Sequence, residues 1–203
     1  MSSLTLFPTS GGQVAVKPIG SLEELERNAT EAELQSVEGF KSPSRRMERL
    51  AWRALLRGIS STANIEIEYL PSGKPLLKNS SFRHLSVSHC RGYVAVALSQ
   101  ESCGVDIERV DRNFARVKSR YMTDEEAMLS ADEYWSALVW CAKEALYKYA
   151  GREGVDFKRD ISVKSVQRQG DSSWLLAAEL FGSEKVELRG ELIGSGHILV
   201  FTL

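Results

Sequence analysis

Apolar and polar positions follow two different periods along the 203-residue chain. Short alternating or continuous apolar stretches at Val14–Pro18, Ile65–Leu70, Leu85–Ser88, Val94–Ser99 and Gly104–Glu108 predict strands, as do Ile161–Gln167, Ser173–Leu180, Lys185–Leu192 and Ile198–Leu203. His89-Cys90-Arg91-Gly92 reads as the loop of a hairpin, and Pro71-Ser72-Gly73 as a turn. Helices are predicted at Ser21–Asn28, where Ser21 is the cap, and at Glu31–Val37. Ser42-Pro43 opens a helix to about Arg57 that carries Met47, Leu50, Ala51, Ala54 and Leu55 on one face. Phe114–Tyr121 reads as helical, and Thr123-Asp124-Glu125-Glu126 is a capping box opening a short helix. Asp132–Tyr149 is the longest helix, closed by Gly151. Strands and helices do not alternate as βαβ units, which favours an α+β fold.

Composition narrows the class. The chain is 43% hydrophobic and 26% charged, which excludes a disordered chain, a fibrous repeat and a disulfide scaffold. The longest apolar runs, such as Val94–Leu98 and Ile198–Phe201, are too short to span a bilayer. The start, MSSLTLFPTSGGQ, lacks the basic and apolar regions of a secretory signal. A net charge of −1 argues against bulk attraction to nucleic acid or membrane and leaves a local basic groove open. Three cysteines without CxxC spacing fit small buried thiols in a reducing cytoplasm. Three scattered histidines do not suggest a zinc site.

The candidate chemistry lies in two segments. In Gly104-Val105-Asp106-Ile107-Glu108 the alternation of a strand sends Val105 and Ile107 to the core, and Asp106 and Glu108 together to the other face. Paired carboxylates repel unless a cation or proton intervenes. The alternative is a solvated strand end beside Arg109 and Arg112. On the long helix Trp140, Glu144 and Lys148 share a face at i, i+4 and i+8, with Lys143 beside Glu144. Glu144–Lys148 is also an ordinary helix pair. If this helix packs over the strand, Asp106, Glu108 and Glu144 converge as three hard oxygen donors suited to Mg²⁺, with two lysines near a phosphorylated substrate.

The two motifs, Gly104–Glu108 and Trp140-Cys141-Ala142-Lys143-Glu144-Ala145-Leu146-Tyr147-Lys148, resemble those of the larger, surfactin-synthetase-activating type of 4′-phosphopantetheinyl transferase. Ser86-Val87-Ser88-His89, Gly73-Lys74-Pro75 and Arg45-Arg46-Met47-Glu48 with Arg53 extend the resemblance, which covers about residues 45–148. It implies two similar α+β halves related by a pseudo-twofold, residues 1–102 and 103–203, with the active site in the cleft between them. It implies transfer of the phosphopantetheine of coenzyme A to a serine of an apo acyl or peptidyl carrier protein, releasing 3′,5′-ADP, by a cytoplasmic monomer.

The resemblance also assigns roles. Asp106, Glu108 and Glu144 would hold Mg²⁺, and Glu144 would take the serine proton, with Glu108 or a metal water as alternatives. Lys143 and Lys148 would stabilise phosphate charge. His89, Arg45 and Arg53 would hold the coenzyme's 3′-phosphate, with Lys74 near the adenine. Arg46, Arg49, Arg53 and Arg57 equally read as the solvated stripe of an amphipathic helix. Glu126 aligns with a further acidic residue of the family but is also explained by its capping box. Arg112, Arg116, Lys118 and Arg120 are a candidate carrier-docking element or a solvated segment. Two other classes remain: a module that binds coenzyme A without turnover, and a Mg²⁺-dependent hydrolase of phosphate anhydrides.

Overall fold

Two antiparallel sheets carry the chain, and one repeats the strand order of the other. The computed structural model describes residues 3–60, 65–194 and 196–203. The first sheet gathers β1 (Thr5–Thr9), β2 (Gly12–Pro18), β3 (Glu66–Tyr69), β4 (Pro75–Lys78), β5 (His84–Cys90) and β6 (Tyr93–Ser99) in the order β1-β2-β6-β5-β4-β3. The second holds β7 (Val105–Arg109), β8 (Ile161–Arg168), β9 (Ser173–Leu180), β10 (Glu184–Ile193) and β11 (His197–Thr202) in the order β7-β11-β10-β9-β8. Helices α1 (Leu22–Asn28), α2 (Glu31–Gln35) and the long α3 (Pro43–Ile59) connect β2 to β3. A 3-10 turn (Phe114–Arg116), α4 (Lys118–Tyr121), α5 (Asp124–Met128) and the long α6 (Trp135–Ala150) connect β7 to β8. Apart from β1, each sheet therefore places its first strand beside its last and runs back through the rest, with one long helix after the first strand. This is the expected α+β class.

The alternation of strand side chains builds the layers. Helix α3 buries Leu50, Ala51, Trp52, Leu55 and Leu56. These pack on Ala15, Leu85, Val94, Val96 and Leu98 of the first sheet. The opposite face of β2 and β6, Val14, Val16, Ala95 and Ala97, meets Val105, Ile107, Leu199 and Phe201 of the second sheet. The far side of that sheet, including Ile198 and Val200, packs on Leu138, Ala142, Ala145 and Leu146 of α6. The result is helix, sheet, sheet, helix.

Several local expectations hold. Ser21 and Ser42 cap α1 and α3 through their side chains, and Thr123 and Glu126 form the reciprocal capping box of α5. Cys90, Cys103 and Cys141 are free and buried. Among the described residues no helix is long and apolar enough to cross a membrane. Other expectations are corrected. The β5–β6 hairpin turns on Arg91-Gly92 alone, with Gly92 at φ 97°, so His89 and Cys90 belong to the strand. Phe114–Tyr121 divides into the 3-10 turn and α4. Helix α6 starts at Trp135 because Asp132 faces away from a helical role: its carboxylate accepts from Tyr134 N (2.8 Å) and Trp174 Nε1 (2.9 Å).

Candidate active site

Strand β7 and helix α6 approach closely enough to touch through backbone. A Cβ on Gly104 would lie 1.9 Å from the Ala145 carbonyl oxygen, so only glycine fits at the head of the Val105–Arg109 strand. Strand β7 is also an edge strand, bonded to β11 on one side only. An open strand edge leaves backbone donors unpaired. Here the hydroxyls of Ser86 and Ser88 on β5 accept from Val105 N (3.1 Å) and Ile107 N (3.2 Å). Lys148 of α6 donates to the Val105 carbonyl at 2.9 Å. The strand is thus held by the second sheet, by the first sheet's serines and by α6.

This arrangement brings the expected carboxylates to α6. Asp106 is 7% exposed, and its Oδ1 accepts from Ser88 Oγ (2.7 Å) and from Lys148 Nζ (2.8 Å). Glu108, one alternation further, accepts from Arg109 N at 2.9 Å and pairs with Arg112. The Arg112 guanidinium in turn lies 4.3 Å from the Trp140 ring centroid, a cation–π contact. Trp140 is packed edge-on against Tyr121 (5.1 Å) and Phe157 (6.1 Å). Trp140, Glu144 and Lys148 therefore form the face of α6 turned to β7. Burial, with the negative charge of Asp106 as the next cause, pushes the Glu144 carboxyl up from its ordinary value. Lys148 and Arg112 oppose that shift, and Glu108 adds to it. Cys141 beneath Asp106 is held well above the ordinary thiol range, first by burial and then by Asp106, so it is no nucleophile.

Lys143 is not part of this group. It sits about 100° round the helix from Glu144. Its ammonium is 0% exposed and lies 2.7 and 2.8 Å from the two oxygens of Glu126. It also donates to the carbonyls of Phe157 (2.7 Å) and Ile161 (3.1 Å). Glu126, 2% exposed, further accepts from Thr123 N and Val163 N at 2.9 Å each. The expectation that Lys143 stands on the phosphates is corrected: all three of its protons are directed inward. Burial holds its ammonium below the ordinary lysine value, and Glu126 acts against that. Glu126 is accounted for by the same pair and its capping box.

The expected coenzyme residues are spread over two places. His89 is exposed on β5, its Nδ1 3.6 Å from Glu48 Oε2 of α3. Arg45 is exposed one turn before Glu48. Arg53 lies about 12 Å further along the helix axis, at the usual rise per residue. Its guanidinium is 5.1 Å from the Trp52 ring centroid, and burial, followed by the charge of Arg49, lowers its pKa from the ordinary value. The structure does not bring Arg53 to His89. Arg46 and Arg57 are committed elsewhere, to Glu26 (2.6 Å) and Glu33 (3.2 Å).

Lys74 reaches across to the second half. Its Nζ donates to the Tyr149 carbonyl (2.7 Å) near the end of α6, where Gly151 at φ 61° closes the helix. Burial lowers its pKa. Lys74 lines a cavity of about 190 Å³ with Ser72, Ser86, Tyr147, Lys148 and Arg152, contributed by both halves. Ser86 and Ser88 enter the sequence reading only as part of the Ser86–His89 segment, without roles, and Arg112 only as a neighbour of the carboxylates and a candidate docking residue; the structure places all three beside β7.

Mg²⁺ takes hard oxygen ligands. Asp106, Glu108 and Glu144 fit it in donor type, and burial, followed by the charge of Asp106, disfavours the ionised form of Glu144. Among the described residues no group of three or more His, Cys, Asp or Glu side chains is gathered so as to hold a metal ion. The cations standing at Asp106 and Glu108 are Lys148 and Arg112.

Residues 102–191 match the family described as the 4′-phosphopantetheinyl transferase superfamily. The matched segment contains β7, α6 and the Asp106–Lys148 and Glu126–Lys143 pairs, and it supports a transferase. Arg45, Lys74 and His89 lie outside it. No curated protein matches the chain.

Proposed function

We propose that this protein transfers the 4′-phosphopantetheine group of coenzyme A to a serine hydroxyl of an apo acyl or peptidyl carrier protein, releasing 3′,5′-ADP. The observation that carries the reading is the Trp140–Lys148 face of α6 laid on the Asp106–Glu108 edge of β7, where Lys148 bonds Asp106 at 2.8 Å. That edge adjoins a cavity lined by Lys74, Ser86 and Lys148 and built from both halves, 1–102 and 103–203. The cavity suits the nucleotide end of the coenzyme, with Lys74 near the adenine. Arg45 and His89, at the start of α3 and the end of β5, are the groups for the 3′-phosphate.

Mg²⁺, held by Asp106, Glu108 and Glu144, would neutralise the pyrophosphate and the charge that builds on its leaving half. Lys148, already poised beside Asp106, places a cation against the same phosphates. Arg112 keeps Glu108 and Trp140 in register. Glu144, on the face of α6 beside Asp106, is the group assigned as base, directly or through a water. It takes the serine proton as the hydroxyl oxygen attacks the β-phosphorus. The new serine O–P bond forms as the bond from that phosphorus to the bridging oxygen breaks, and that oxygen leaves on 3′,5′-ADP. We further propose a cytoplasmic monomer, since the duplicated fold supplies both walls of the cleft and three buried thiols suit a reducing compartment.

The test is to mix the protein with coenzyme A, Mg²⁺ and an apo carrier protein and weigh the carrier intact. A mass gain matching phosphopantetheine supports transfer. Release of 3′,5′-ADP without carrier means hydrolysis, and binding of coenzyme A with neither product means a silent binder.

A further inference from the structure

Asp106 owes its orientation to the other half of the molecule. Ser88 is 5% exposed on β5 and makes two directed bonds: its oxygen accepts from Ile107 N at 3.2 Å, and its hydroxyl donates to Asp106 Oδ1 at 2.7 Å. A serine hydroxyl has one proton to give. With the Ile107 N–H directed at the oxygen, that proton goes to the carboxylate, and each bond polarises the other. Lys148 donates to the same Oδ1. Two donors on one oxygen fix the rotation of the carboxyl group about its bond to Cβ, and thereby where Oδ2 stands. Ser86, two positions earlier, accepts from Val105 N in the same manner, and none of the hydrogen bonds described joins it to a carboxylate. The two serines thus carry equivalent parts of the seam between the halves, while Ser88 alone also holds Asp106.

We propose that Ser88 is a positioning residue for the reaction: its hydroxyl, set by the Ile107 amide, holds the Asp106 carboxylate in the orientation that receives the divalent cation. This rests on the transferase reading above. Groups that orient a metal ligand from behind typically change metal affinity by about 10- to 100-fold when removed.

The experiment measures Mn²⁺ binding by EPR, with coenzyme A present, in the parent, Ser88→Ala, Thr202→Val and Ser88→Thr. Thr202 accepts from Gly104 N at 3.1 Å and does not line the coenzyme cavity, so Ser88→Ala and Thr202→Val each remove one side-chain acceptor of a backbone amide at β7, and a loss of melting temperature is expected in both. Mn²⁺ affinity should fall about tenfold or more in Ser88→Ala only, and Ser88→Thr, which keeps the hydroxyl, should recover most of it. Equal weakening in Ser88→Ala and Thr202→Val would reduce Ser88 to a part of the seam, and unchanged affinity in Ser88→Ala would overturn the proposal outright. If the parent with coenzyme A binds no Mn²⁺, the metal-dependent reading fails together with this one; if the parent binds and only the Ser88 arm fails, this inference alone falls.

Discussion

Replacing Lys143 by methionine separates a lysine that holds the fold from one that works on phosphate. Methionine keeps most of the apolar stem and opens little space. What is lost is the cation facing Glu126, in a pair whose members are 0% and 2% exposed. Removing one partner of a buried ion pair costs about 3–5 kcal/mol. The Thr123 and Val163 amides, each 2.9 Å from a Glu126 oxygen, soften that loss, while the carbonyls of Phe157 and Ile161 lose a donor and add to it. At about 2–4 °C per kcal/mol for a chain of this size, the melting temperature should drop by about 6–20 °C. An uncompensated buried carboxylate is relieved by a proton, so the drop should be smaller at about pH 5 than at about pH 8. The double variant with Glu126→Gln should recover part of the loss, with a coupling of about 0.5–3 kcal/mol. Transfer by the folded fraction, assayed well below the transition, should stay within about threefold of the parent, since a group outside the site changes no transition-state contact. A melting temperature within about 2 °C of the parent, combined with a tenfold loss of transfer, would return Lys143 to the phosphates and refute the reasoning.

Glu144→Gln should cut transfer by on the order of a hundredfold or more yet raise stability at neutral pH by about 0.5–2 kcal/mol, because a strained charge is removed. The native state holds the Glu144 proton more tightly than the unfolded chain does. That contribution is fully present below the ordinary carboxylate value and is lost as pH rises through the raised native one, so the variant's advantage should vanish in acid; denaturation at two pH values checks this. Gly104→Ala should destabilise by about 1–3 kcal/mol or more, because its Cβ would meet the Ala145 carbonyl, and should weaken coenzyme binding as β7 is pushed off α6, both measurable by melting and calorimetry. Arg45→Ala and His89→Ala should each reduce the preference for coenzyme A over dephospho-coenzyme A by about tenfold, the worth of one charged hydrogen bond, while Arg53→Ala leaves that preference intact in the same titrations.

The elements that read clearly in the sequence are those whose reason is local. Ser21, Ser42 and the Thr123–Glu126 box announce helix starts because a cap needs only its own turn. Strand β9 alternates cleanly because one of its faces lies in the α6-side core, whereas β11, buried on both faces, reads as a short continuous apolar run. Strands β1 and β4 were not legible: each is short, each contains a proline, and each exists only because a neighbour supplies its ladder. The two similar halves are an expectation of the family resemblance and not of the side-chain pattern, since the duplicated strand order resides in which strands pair.

The site shows the same division at the scale of single residues. Helical spacing suffices to put Trp140, Glu144 and Lys148 on one face, and strand alternation to put Asp106 and Glu108 on another. What brings the two faces together is a contact between distant parts of the chain: the absent side chain of Gly104 against Ala145. Lys143 and Lys148 stand five positions apart in one motif with the same charge, yet Lys148, itself partly exposed, reaches Asp106, and the fully buried Lys143 reaches Glu126. Position along the helix sets their directions about 140° apart at the usual turn per residue, but their roles depend on what waits there. For Lys143 that is Glu126, which its own capping box holds in place. For Lys148 it is Asp106, pinned by Ser88 from the other half. A buried lysine meeting a carboxylate already tied to backbone amides has a structural partner, whereas one meeting a carboxylate at the mouth of a cleft keeps a face toward substrate. By that physical distinction, Lys143 is tied into the fold, and Lys148 is the lysine proposed for the reaction.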